Sequence, residues 1–422
     1  LIAEYRQRAA RVTPDQVATI IYTSGTTGEP KGVMLTHNNL SSNEETSVEP
    51  YHMGPEDVAV SFLPLSLVYE RVTAYAYLFH GVPISYVERM EDLPQALLEV
   101  RPTLAAAVPR VFEKLYANIL QKGHEATGLK RKIFDWAMGV ARESVRWKAY
   151  GEDASYLLNF RWGFADRIVF TKIRDGIGGR FRAFISGGGP LSREIAEFFW
   201  AVGIPVYQGY GLTETSPVVS ANVPNKIKVA TVGPPLDGVE VKIADDGEVL
   251  VRGALVMKGY WREPEATAKT LEGGWLHTGD VGEIDRDGYI RITDRKKDFI
   301  KNSGGDMIAP ARIEGALTLE PQIAQAMVFG DRRPYLVAVI VPAQDALDRA
   351  KGDEAALQKT IGAVVARVNQ GLANIERVRR FVLAKEAFTT ANGQMTPTLK
   401  IRRHEIRAVY GAALDALYEK SN

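Results

Sequence analysis

The stretch Tyr22-Thr23-Ser24-Gly25-Thr26-Thr27-Gly28-Glu29-Pro30-Lys31-Gly32 follows a short apolar run, Ala18 to Tyr22. Its glycines let the backbone approach an anion closely, its Ser and Thr side chains offer hydroxyl donors, and Lys31 adds a positive charge. This composition predicts a loop that binds phosphate. A Walker loop ends in Gly, Lys and then Ser or Thr, whereas here Pro30 precedes Lys31 and Gly32 follows it. The segment therefore departs from the P-loop NTPase pattern.

Short apolar runs recur along the first 250 residues, and each ends at a loop of unusual composition. The runs are Ala18 to Tyr22, Val58 to Leu63, Leu104 to Val108, Phe181 to Ile185 and Ile204 to Tyr207. Because helical stretches alternate with these runs, the sequence predicts an α/β fold with a mostly parallel sheet flanked by helices. Ligands of open α/β sheets bind beyond the carboxyl ends of the strands, so the loops after the runs are candidate binding sites.

Beyond about residue 230 the pattern changes to strands joined by tight turns. The turn Asp246-Gly247 separates Val239 to Ile243 from Glu248 to Val251, and a second Asp-Gly turn lies at 287 and 288. These signals predict a small β subdomain over about 230–294. The charged run Asp294 to Asp298 predicts a domain boundary. We therefore expect a large domain over 1–294 and a small α+β domain over 295–422.

Composition excludes several functional classes. The chain has 52 basic and 51 acidic side chains, so no overall field favours nucleic acid. It has no cysteine, which excludes disulfides and thiolate catalysis and agrees with a cytoplasmic setting. Its six histidines show no ligand spacing, and no apolar run reaches the length of a membrane span. Because the chain opens at Leu1 rather than Met, we expect an upstream portion to be missing.

A second segment, read together with the first, resembles a known family. Tyr207-Gln208-Gly209-Tyr210-Gly211-Leu212-Thr213-Glu214-Thr215, together with the loop from Tyr22 to Gly32, resembles the adenylate-forming superfamily of acyl-CoA synthetases, luciferases and peptide-synthetase adenylation domains. The resemblance implies that a tyrosine of this segment stacks on adenine, that Thr213 meets phosphate and that Glu214 holds magnesium. An aromatic face suits a purine, and a carboxylate beside a triphosphate is tolerated mainly when a cation lies between them.

Three further segments extend the resemblance. Ser186-Gly187-Gly188-Gly189-Pro190-Leu191 resembles the turn that contacts adenine, and Ser192 after it is a candidate helix N-cap. Thr278-Gly279-Asp280 resembles the motif whose carboxylate binds the ribose hydroxyls. The run from Asp294 to Asp298, continuing to Lys301 and Gly304-Gly305, resembles the segment on which the small domain swivels, with Lys297 as its pivot.

The resemblance assigns a role to each matching position. Thr396-Pro397-Thr398-Leu399-Lys400-Ile401 resembles the segment that carries the lysine of the adenylation step. For catalysis the implied residues are Lys400, Glu214, Lys31 and Thr213. For the metal they are Thr23 and Glu214. For the nucleotide they are Thr23, Ser24, Gly25, Thr26, Thr27, Gly28, Gly188, Gly189, Pro190, Gln208, Gly209, Tyr210, Gly211, Thr213, Asp280, Arg295, Lys297 and Lys301.

The implied chemistry needs cations. A carboxylate must attack the α-phosphorus of ATP, so two anions are forced together and more negative charge accumulates in the transition state. Lys400 and Mg²⁺ would offset that repulsion. Pyrophosphate would leave, an acyl-adenylate would form, and the small domain would rotate about Lys297 to admit coenzyme A. The thiol would belong to coenzyme A, which fits a protein without cysteine.

Other segments resemble the long-chain fatty acid branch of the superfamily. They are Leu63 to Arg71, Val108 to Lys114 and Asp331 to Tyr335. That branch commonly has His where this chain has Leu67. At Asp306-Met307 this chain also differs from the pair that is commoner in the branch. The leading hypothesis is therefore a long-chain fatty acid:CoA ligase that uses ATP, Mg²⁺ and coenzyme A. The alternatives are a fatty-acyl-AMP ligase, another acid:CoA ligase, or a nucleotide- or acyl-binding homologue without turnover.

The long helical region over 111–172 fits more than one role. It carries Trp136, Trp147, Phe160 and Trp162 among Lys and Arg side chains. Aromatic residues at helical spacing most often pack in a core, so we expect a helical cover over the sheet. The alternatives are the wall of a fatty-acid channel and a patch that faces a membrane. The resemblance leaves open peripheral membrane contact at the inner face of the membrane and a homodimer, and nucleic acid is not an expected partner.

Overall fold

The computed structural model describes residues 2–23, 30–296, 298–396 and 400–419. Within them the strands are β1 (Val17–Thr23), β2 (Lys31–Thr36), β3 (Ala59–Ser61), β4 (Ile84–Tyr86), β5 (Leu104–Ala107), β6 (Ala183–Ser186), β7 (Val206–Gly211), β8 (Val218–Ala221), β9 (Glu240–Ile243), β10 (Glu248–Arg252), β11 (Gly259–Tyr260), β12 (Leu276–Ile284), β13 (Ile290–Arg295), β14 (Ile300–Lys301), β15 (Met307–Ile308), β16 (Ile323–Phe329), β17 (Leu336–Pro342) and β18 (Val378–Leu383).

The helices are α1 (Ile2–Ala9), α2 (His37–Val48), α3 (Val68–Phe79), α4 (Leu93–Val100), α5 (Pro109–Glu125), α6 (Gly128–Tyr150), α7 (Tyr156–Ala165), α8 (Thr171–Asp175), α9 (Arg193–Ala201), α10 (Pro264–Thr270), α11 (Pro310–Thr318), α12 (Gln344–Ala350), α13 (Glu354–Gln370) and α14 (Arg403–Glu419). Several begin at side chains suited to an N-cap. Thr36 and Asn39 form a capping box at α2, and Ser192 accepts the Ile195 N–H at α9. The predicted cap at Ser192 is confirmed.

The chain divides into two compact units. The described part of the first unit is 2–23, 30–278 and 282–292, and that of the second is 279–281, 293–296, 298–396 and 400–419. The boundary predicted between 294 and 295 stays a prediction.

A six-stranded sheet dominates the first unit, in the order β4-β3-β5-β6-β7-β8. The strands from β4 to β7 pair in parallel, and β8 pairs antiparallel with β7. The predicted α/β class and mostly parallel sheet are confirmed. The central strand β5 (Leu104–Ala107) is buried along its whole length, as expected for a strand covered on both faces.

One predicted strand belongs elsewhere. The run from Ala18 to Tyr22 lies in β1, which pairs antiparallel with β2, and β11 pairs with the other edge of β2. The apolar residues Val33 and Leu35 on β2 are fully buried. Because these residues are buried, β2 offers β1 a pairing partner only a few residues further along the chain. Strand β1 therefore pairs with β2 and does not join the parallel sheet, although the sequence predicted that place for this run. A further sheet has the order β13-β12-β10-β9, in which β9 and β10 form the hairpin predicted at Asp246-Gly247.

The second unit is built on the three-stranded sheet β16-β17-β18. Its middle strand, β17, is buried throughout. Ala338 and Ile340 face one core with α11 and α13, whereas Val337 and Val339 face a second core with α14. Because alternate side chains of a strand point to opposite faces, one apolar strand serves both cores. This is the small α+β architecture that the sequence predicts for the C-terminal part.

Candidate functional site

Strand β7 delivers most of the second predicted motif to the carboxyl edge of the parallel sheet. Its first residues are structural, because the Tyr207 ring lies edge-on to Tyr51 at 5.4 Å and to Trp200 at 5.5 Å between centroids. Gln208 is also buried, and its amide donates to the Leu191 carbonyl at 3.4 Å. Gln208 therefore supports the glycine turn after β6, and Tyr210 is the motif tyrosine that stays partly exposed.

The glycines of β7 allow β8 to approach. A Cβ on Gly211 would lie 1.8 Å from the Pro217 carbonyl oxygen, and one on Gly209 would lie 3.3 Å from the Ser220 oxygen. Only glycine fits at 211 without moving the backbone. The spacing Gly-Tyr-Gly thus has a structural reason apart from any contact with phosphate.

A single turn of 3-10 helix, Thr213 to Thr215, follows β7 and holds the acidic residue of the motif. The buried Thr215 hydroxyl closes this turn, since it accepts the Leu212 N–H at 2.9 Å and donates to the Pro217 carbonyl at 2.5 Å. The Glu214 carbonyl accepts the Met257 N–H at 2.9 Å. The backbone of Glu214 is therefore fixed from both sides.

The two motifs that are predicted to bind phosphate converge on one tyrosine. The Tyr260 hydroxyl donates to Glu214 Oε1 at 2.8 Å, and the Nζ of Lys31 lies 5.0 Å from the centroid of the same ring. Tyr260 pairs with Val33 on β2, and the Trp261 N–H donates to the Gly32 carbonyl at 2.7 Å. Burial and the neighbouring Glu214 charge raise the pKa of Tyr260, so its phenol remains a donor. The cation and the carboxylate predicted from separate loops are thus brought together.

The glycine turn after β6 lies against an aromatic ring from the segment Leu63 to Arg71. The Tyr69 hydroxyl donates to the Ile185 carbonyl at 3.2 Å, and a Cβ on Gly187 would lie 3.0 Å from the Tyr69 ring. Gly188 adopts a φ of +76°, a left-handed conformation that favours glycine. Gly189 and Pro190 complete the turn before Ser192 caps α9. Tyr69 thus fixes the turn that the resemblance assigns to adenine.

In the second unit three predicted residues are neighbours. The Arg295 Nε lies 3.2 Å from Asp280 Oδ1, and the Asp280 carboxylate is buried. Burial lowers the pKa of Lys400 to about 8; the nearby Arg295 charge adds to this effect, while Asp280 and Asp298 oppose it. The backbone of Lys400 exchanges two hydrogen bonds with Thr396, because the Thr396 N–H donates to the Lys400 carbonyl and the Lys400 N–H to the Thr396 hydroxyl.

Some predicted site residues lie outside the group around Tyr260 and outside the group around Asp280. Lys301 is exposed on β14, where its N–H donates to Asp331 and its carbonyl accepts the Arg332 N–H. Thr23 ends β1 opposite Lys31. The predictions for Ser24, Gly25, Thr26, Thr27, Gly28 and Lys297 lie outside the described residues.

Leu67 and Asp306, where this chain departs from the long-chain pattern, lie next to a helix start and in a turn. Leu67 precedes α3 and makes no side-chain cap. Asp306 accepts from the Asn302 side chain at 2.9 Å and donates its N–H to the same side chain at 2.8 Å. The Asp306 position therefore closes the turn between β14 and β15 around Gly304-Gly305.

Sequence reasoning missed two residues of this region. Tyr260 was not among the predicted site residues, although it links Lys31 to Glu214. The buried Glu70 was also missed: it accepts a short hydrogen bond from Ser61, and its Oε2 has no hydrogen-bond partner within the described residues. Burial raises the pKa of Glu70 to about 7, which the Ser61 bond opposes. The sequence contains only weak indications of these two residues. Tyr260 follows Gly259 in a short segment that was not predicted as a strand, and Glu70 follows Tyr69.

Two features of the described part of the chain bear on metal binding and on membrane insertion. No group of three or more His, Asp or Glu side chains there could hold a metal ion by itself. None of the helices in those ranges combines the length and the apolar character that crossing a membrane requires.

Comparison with known proteins places these features in a family. The model of the AMP-binding enzyme family matches residues 3–261, and that of the AMP-binding enzyme C-terminal domain matches residues 297–422. The chain is 37% identical over 437 residues to the long-chain-fatty-acid–CoA ligase FadD15 of Mycobacterium bovis. The matched region covers 99% of this chain and 72% of that protein.

Solved structures agree. The adenylation domain of the carboxylate reductase of Mycobacterium chelonae superposes with a TM-score of 0.77 at 25% identity, over 99% of this chain and 64% of that one. The corresponding domain from Segniliparus rugosus, solved with AMP and a co-purified carboxylic acid, gives 0.74 at 26% identity over 97% of this chain and 62% of that one. The resemblance inferred from the motifs is confirmed. The chain belongs to the AMP-binding enzyme family.

Proposed function

We propose that the protein uses ATP to activate a long-chain fatty acid as its acyl-adenylate and then transfers the acyl group to coenzyme A, releasing pyrophosphate and AMP. The observation that carries this proposal is the convergence of Lys31 and Glu214 on Tyr260. A cation and a carboxylate held a short distance apart can bind a triphosphate and its counter-ion together. The similarity to FadD15 supports a fatty acid as the substrate and coenzyme A as the acceptor.

The triphosphate would be bound by the first motif. Lys31 would neutralise phosphate oxygens, and the hydroxyls and N–H groups of Thr23, Ser24, Thr26 and Thr27 would donate to them. Thr213, at the start of the turn that holds Glu214, would donate to the α-phosphate. Adenine would lie between the turn at Gly188 to Pro190 and the ring of Tyr210.

Magnesium fits the donor set of this site. Mg²⁺ prefers oxygen ligands and usually takes one or two carboxylates together with substrate phosphates. Glu214 would provide the carboxylate and Thr23 a hydroxyl. The Tyr260 bond to Oε1 holds the carboxylate in one orientation. The metal would supply charge neutralisation at the triphosphate, and the protein would supply the orientation of Glu214.

The residues of the second unit suit the remainder of the adenylation chemistry. Asp280 would accept hydrogen bonds from the ribose hydroxyls, and Arg295, its ion-pair partner, would hold ribose or phosphate. Lys400 would stabilise the negative charge that grows as the carboxylate attacks the α-phosphorus. Its proton must be present for this role, so the lowered pKa makes the step sensitive to pH. Lys301 and Lys297 stay predicted nucleotide contacts, with Lys297 as the predicted pivot before thioester formation.

The decisive experiment measures pyrophosphate release with acids of increasing chain length, with and without coenzyme A. We expect release to rise with chain length and acyl-CoA to form in step with ATP use. The Lys400→Ala variant should lose at least about 100-fold in adenylation rate, as other charge-stabilising groups do. Lys359→Ala, which removes an exposed lysine from α13 in the same unit, should match the wild type.

Each alternative gives a different result. Pyrophosphate release without acyl-CoA formation would indicate an acyl-AMP ligase that loads another acceptor. A response that does not depend on chain length would indicate a different acid, and ATP binding without release would indicate a homologue without turnover. Peripheral membrane contact and a homodimer stay predictions at this stage.

A further inference from the structure

A largely buried ion pair anchors the segment that carries Lys400 to the core of the second unit. Arg403, the first residue of α14, donates to both carboxylate oxygens of Glu314 on α11, at 2.6 and 2.7 Å. Glu314 Oε1 also accepts the Val328 N–H at 2.7 Å, so the pair joins α14, α11 and β16. A two-bond contact between guanidinium and carboxylate fixes both distance and angle. The pair therefore determines where the Lys400 segment ends.

The described sides of this segment are paired with each other. The Thr396 N–H donates to the Lys400 carbonyl at 2.8 Å, and the Lys400 N–H donates to the Thr396 hydroxyl at 3.1 Å. The Arg402 N–H donates to the Gln394 carbonyl at 2.8 Å. Lys400 thus lies on a paired stretch that ends directly before Arg403.

A third buried group acts on the same ion pair. Asp294, near the end of β13, is only 7% exposed, and its Oδ1 accepts the Arg295 N–H at 2.6 Å. The positive charge of Arg403 also acts on this carboxylate. The Asp294 Oδ2 is buried and has no hydrogen-bond partner among the residues that the structure describes. Asp294 thus links the backbone of Arg295 to the anchor of the Lys400 segment.

The Asp294 carboxylate lowers the stability of the fold when it ionises. Burial raises the pKa of Asp294 to about 6, and the nearby charge of Asp298 adds to the rise. The Arg295 N–H, the Arg403 charge and the Ala311 N–H oppose it. Because the folded pKa lies above the ordinary value of 3.8, ionisation costs stability as the pH rises from 3.8 to about 6, and the full cost remains at neutral pH. A charged group that a fold keeps at a loss of stability is typical of functional sites.

Like charges meet in this part of the second unit. The Arg295 charge lowers the pKa of Lys400, and Arg403 follows Lys400 by three residues. Asp298 favours the charged forms of both Lys400 and Arg403. Asp294 adds a negative charge that acts on Arg403 while its Oδ1 holds the Arg295 backbone. Without such compensation, mutual repulsion would move the cations apart or favour the neutral form of Lys400.

We infer that Asp294 is a positioning residue for the adenylation step. Its carboxylate holds Arg295 through the main chain and attracts Arg403, so Lys400 keeps a fixed place beside Arg295 although both are positive. Contact between Asp294 and ATP or the acid is not required. The inference rests on the proposed function, because it needs an adenylation step in which Lys400 takes part.

The test compares the two half-reactions in Asp294→Asn, which keeps the shape of the side chain and removes its charge. Pyrophosphate release with ATP and a long-chain acid should slow by about tenfold or more, because Lys400 is less well placed. Formation of acyl-CoA from a supplied long-chain acyl-adenylate and coenzyme A should keep the wild-type rate, since the proposed role of Lys400 precedes this step. Thermal unfolding at neutral pH should show equal or higher stability, because a buried charge is removed.

Loss of both half-reactions together with lower stability would indicate a structural role and overturn the inference. The pH profile of adenylation adds a readout that a structural role would not move. Without the negative charge of Asp294, Lys400 lies among less compensated positive charges, so its pKa should fall further. The alkaline fall in pyrophosphate release should therefore begin about half a pH unit or more below that of the wild type. A lower rate with an unchanged profile would also overturn the inference.

Arg403→Lys tests the same link from the other side. It keeps the charge but loses the two-bond contact with Glu314, so adenylation should slow by about tenfold while acyl-CoA still forms from supplied acyl-adenylate. The matched control is Arg367→Lys, because Arg367 on α13 forms the same kind of contact with Glu320, at 3.1 and 2.5 Å, in the same unit. The control should match the wild type in both half-reactions. Equal losses in the two lysine variants would contradict the assigned role.

The wild-type protein separates this inference from the proposed function. If it releases no pyrophosphate with any acid, the proposed function fails and the inference fails with it. If it activates a long-chain acid and Asp294→Asn does so equally fast at every pH, only the inference fails.

Discussion

The hydroxyl of Tyr260 donates a hydrogen bond of 2.8 Å to Glu214 Oε1. It joins β11, which pairs with the strand that begins at Lys31, to the turn that follows β7. A hydrogen bond to a charged acceptor contributes about 1.5 to 3 kcal/mol. The geometry of the predicted metal carboxylate thus depends on a residue outside both nucleotide motifs.

We predict that Tyr260→Phe weakens the use of MgATP while the fold persists. Loss of the phenol should reduce kcat/KM for MgATP by about 10- to 100-fold, the equivalent of the lost charge-assisted bond. Raised magnesium should restore part of the rate, because the carboxylate is still present but less well oriented. The measurement is pyrophosphate release over a magnesium titration.

Tyr289→Phe is the matched control for this change. The Tyr289 ring also lies near a lysine, with the Lys228 Nζ 5.4 Å from its centroid, but in a different part of the first unit. It should leave the magnesium titration unchanged. Wild-type magnesium dependence in Tyr260→Phe would show that Glu214 needs no help from the phenol.

The local motifs of the fold were predictable because each carries its own chemistry. Four apolar runs became the parallel strands β3, β5, β6 and β7, and the Asp246-Gly247 turn became a hairpin. The sheet to which β1 belongs could not be predicted in the same way. It depends on pairing with β2, a short strand with few apolar residues that follows β1 closely in the chain. Short strands such as β11 left no periodic signal at all.

The site shows the same division. Lys31, Glu214, Asp280, Arg295 and Lys400 were chosen because their motifs resemble those of the family, and their roles stay predictions. Tyr260 could not be chosen in this way, since its role comes from the pairing of β11 with β2. Gly211 was predicted only as a nucleotide contact, and the structure adds the approach of Pro217 as a sufficient reason for glycine at this position.

The glycines of β7 lead to a second prediction. Gly211→Ala should destabilise the first unit by at least about 1 to 3 kcal/mol and abolish adenylation, because the new methyl group would meet the Pro217 carbonyl and displace the turn that holds Glu214. Gly209→Ala should be milder, since its nearest atom is 3.3 Å away. Thermal unfolding and pyrophosphate release measure the two effects. Equal behaviour of the two variants would argue against the close approach of β8 as the cause.

Buried Glu70 leads to a third prediction, on stability. Its folded pKa of about 7 lies above the ordinary value of 4.5, so ionisation of the native state costs stability as pH rises between these values. Glu70→Gln should therefore stabilise the protein at pH 8 by up to about 3 kcal/mol, and much less near pH 4.5. Urea unfolding at both pH values measures the difference, with the exposed Glu265→Gln as control. An advantage that does not change with pH would indicate that Glu70 does not titrate in this window.

Lys400 leads to the last prediction, on the pH dependence of adenylation. The ammonium form is the one that offsets charge at the α-phosphorus, and its pKa is lowered to about 8 mainly by burial. Activity should therefore be fully present below this pH and fall by about tenfold per unit above it, as kcat/KM reports the free enzyme. In Lys400→Arg the guanidinium keeps its charge, so the fall above pH 8 should disappear even though the rate is lower throughout. Pyrophosphate release between pH 6 and about 10 tests both profiles. The same alkaline fall in both proteins would assign the titration to another group and remove Lys400 from the proton-dependent step.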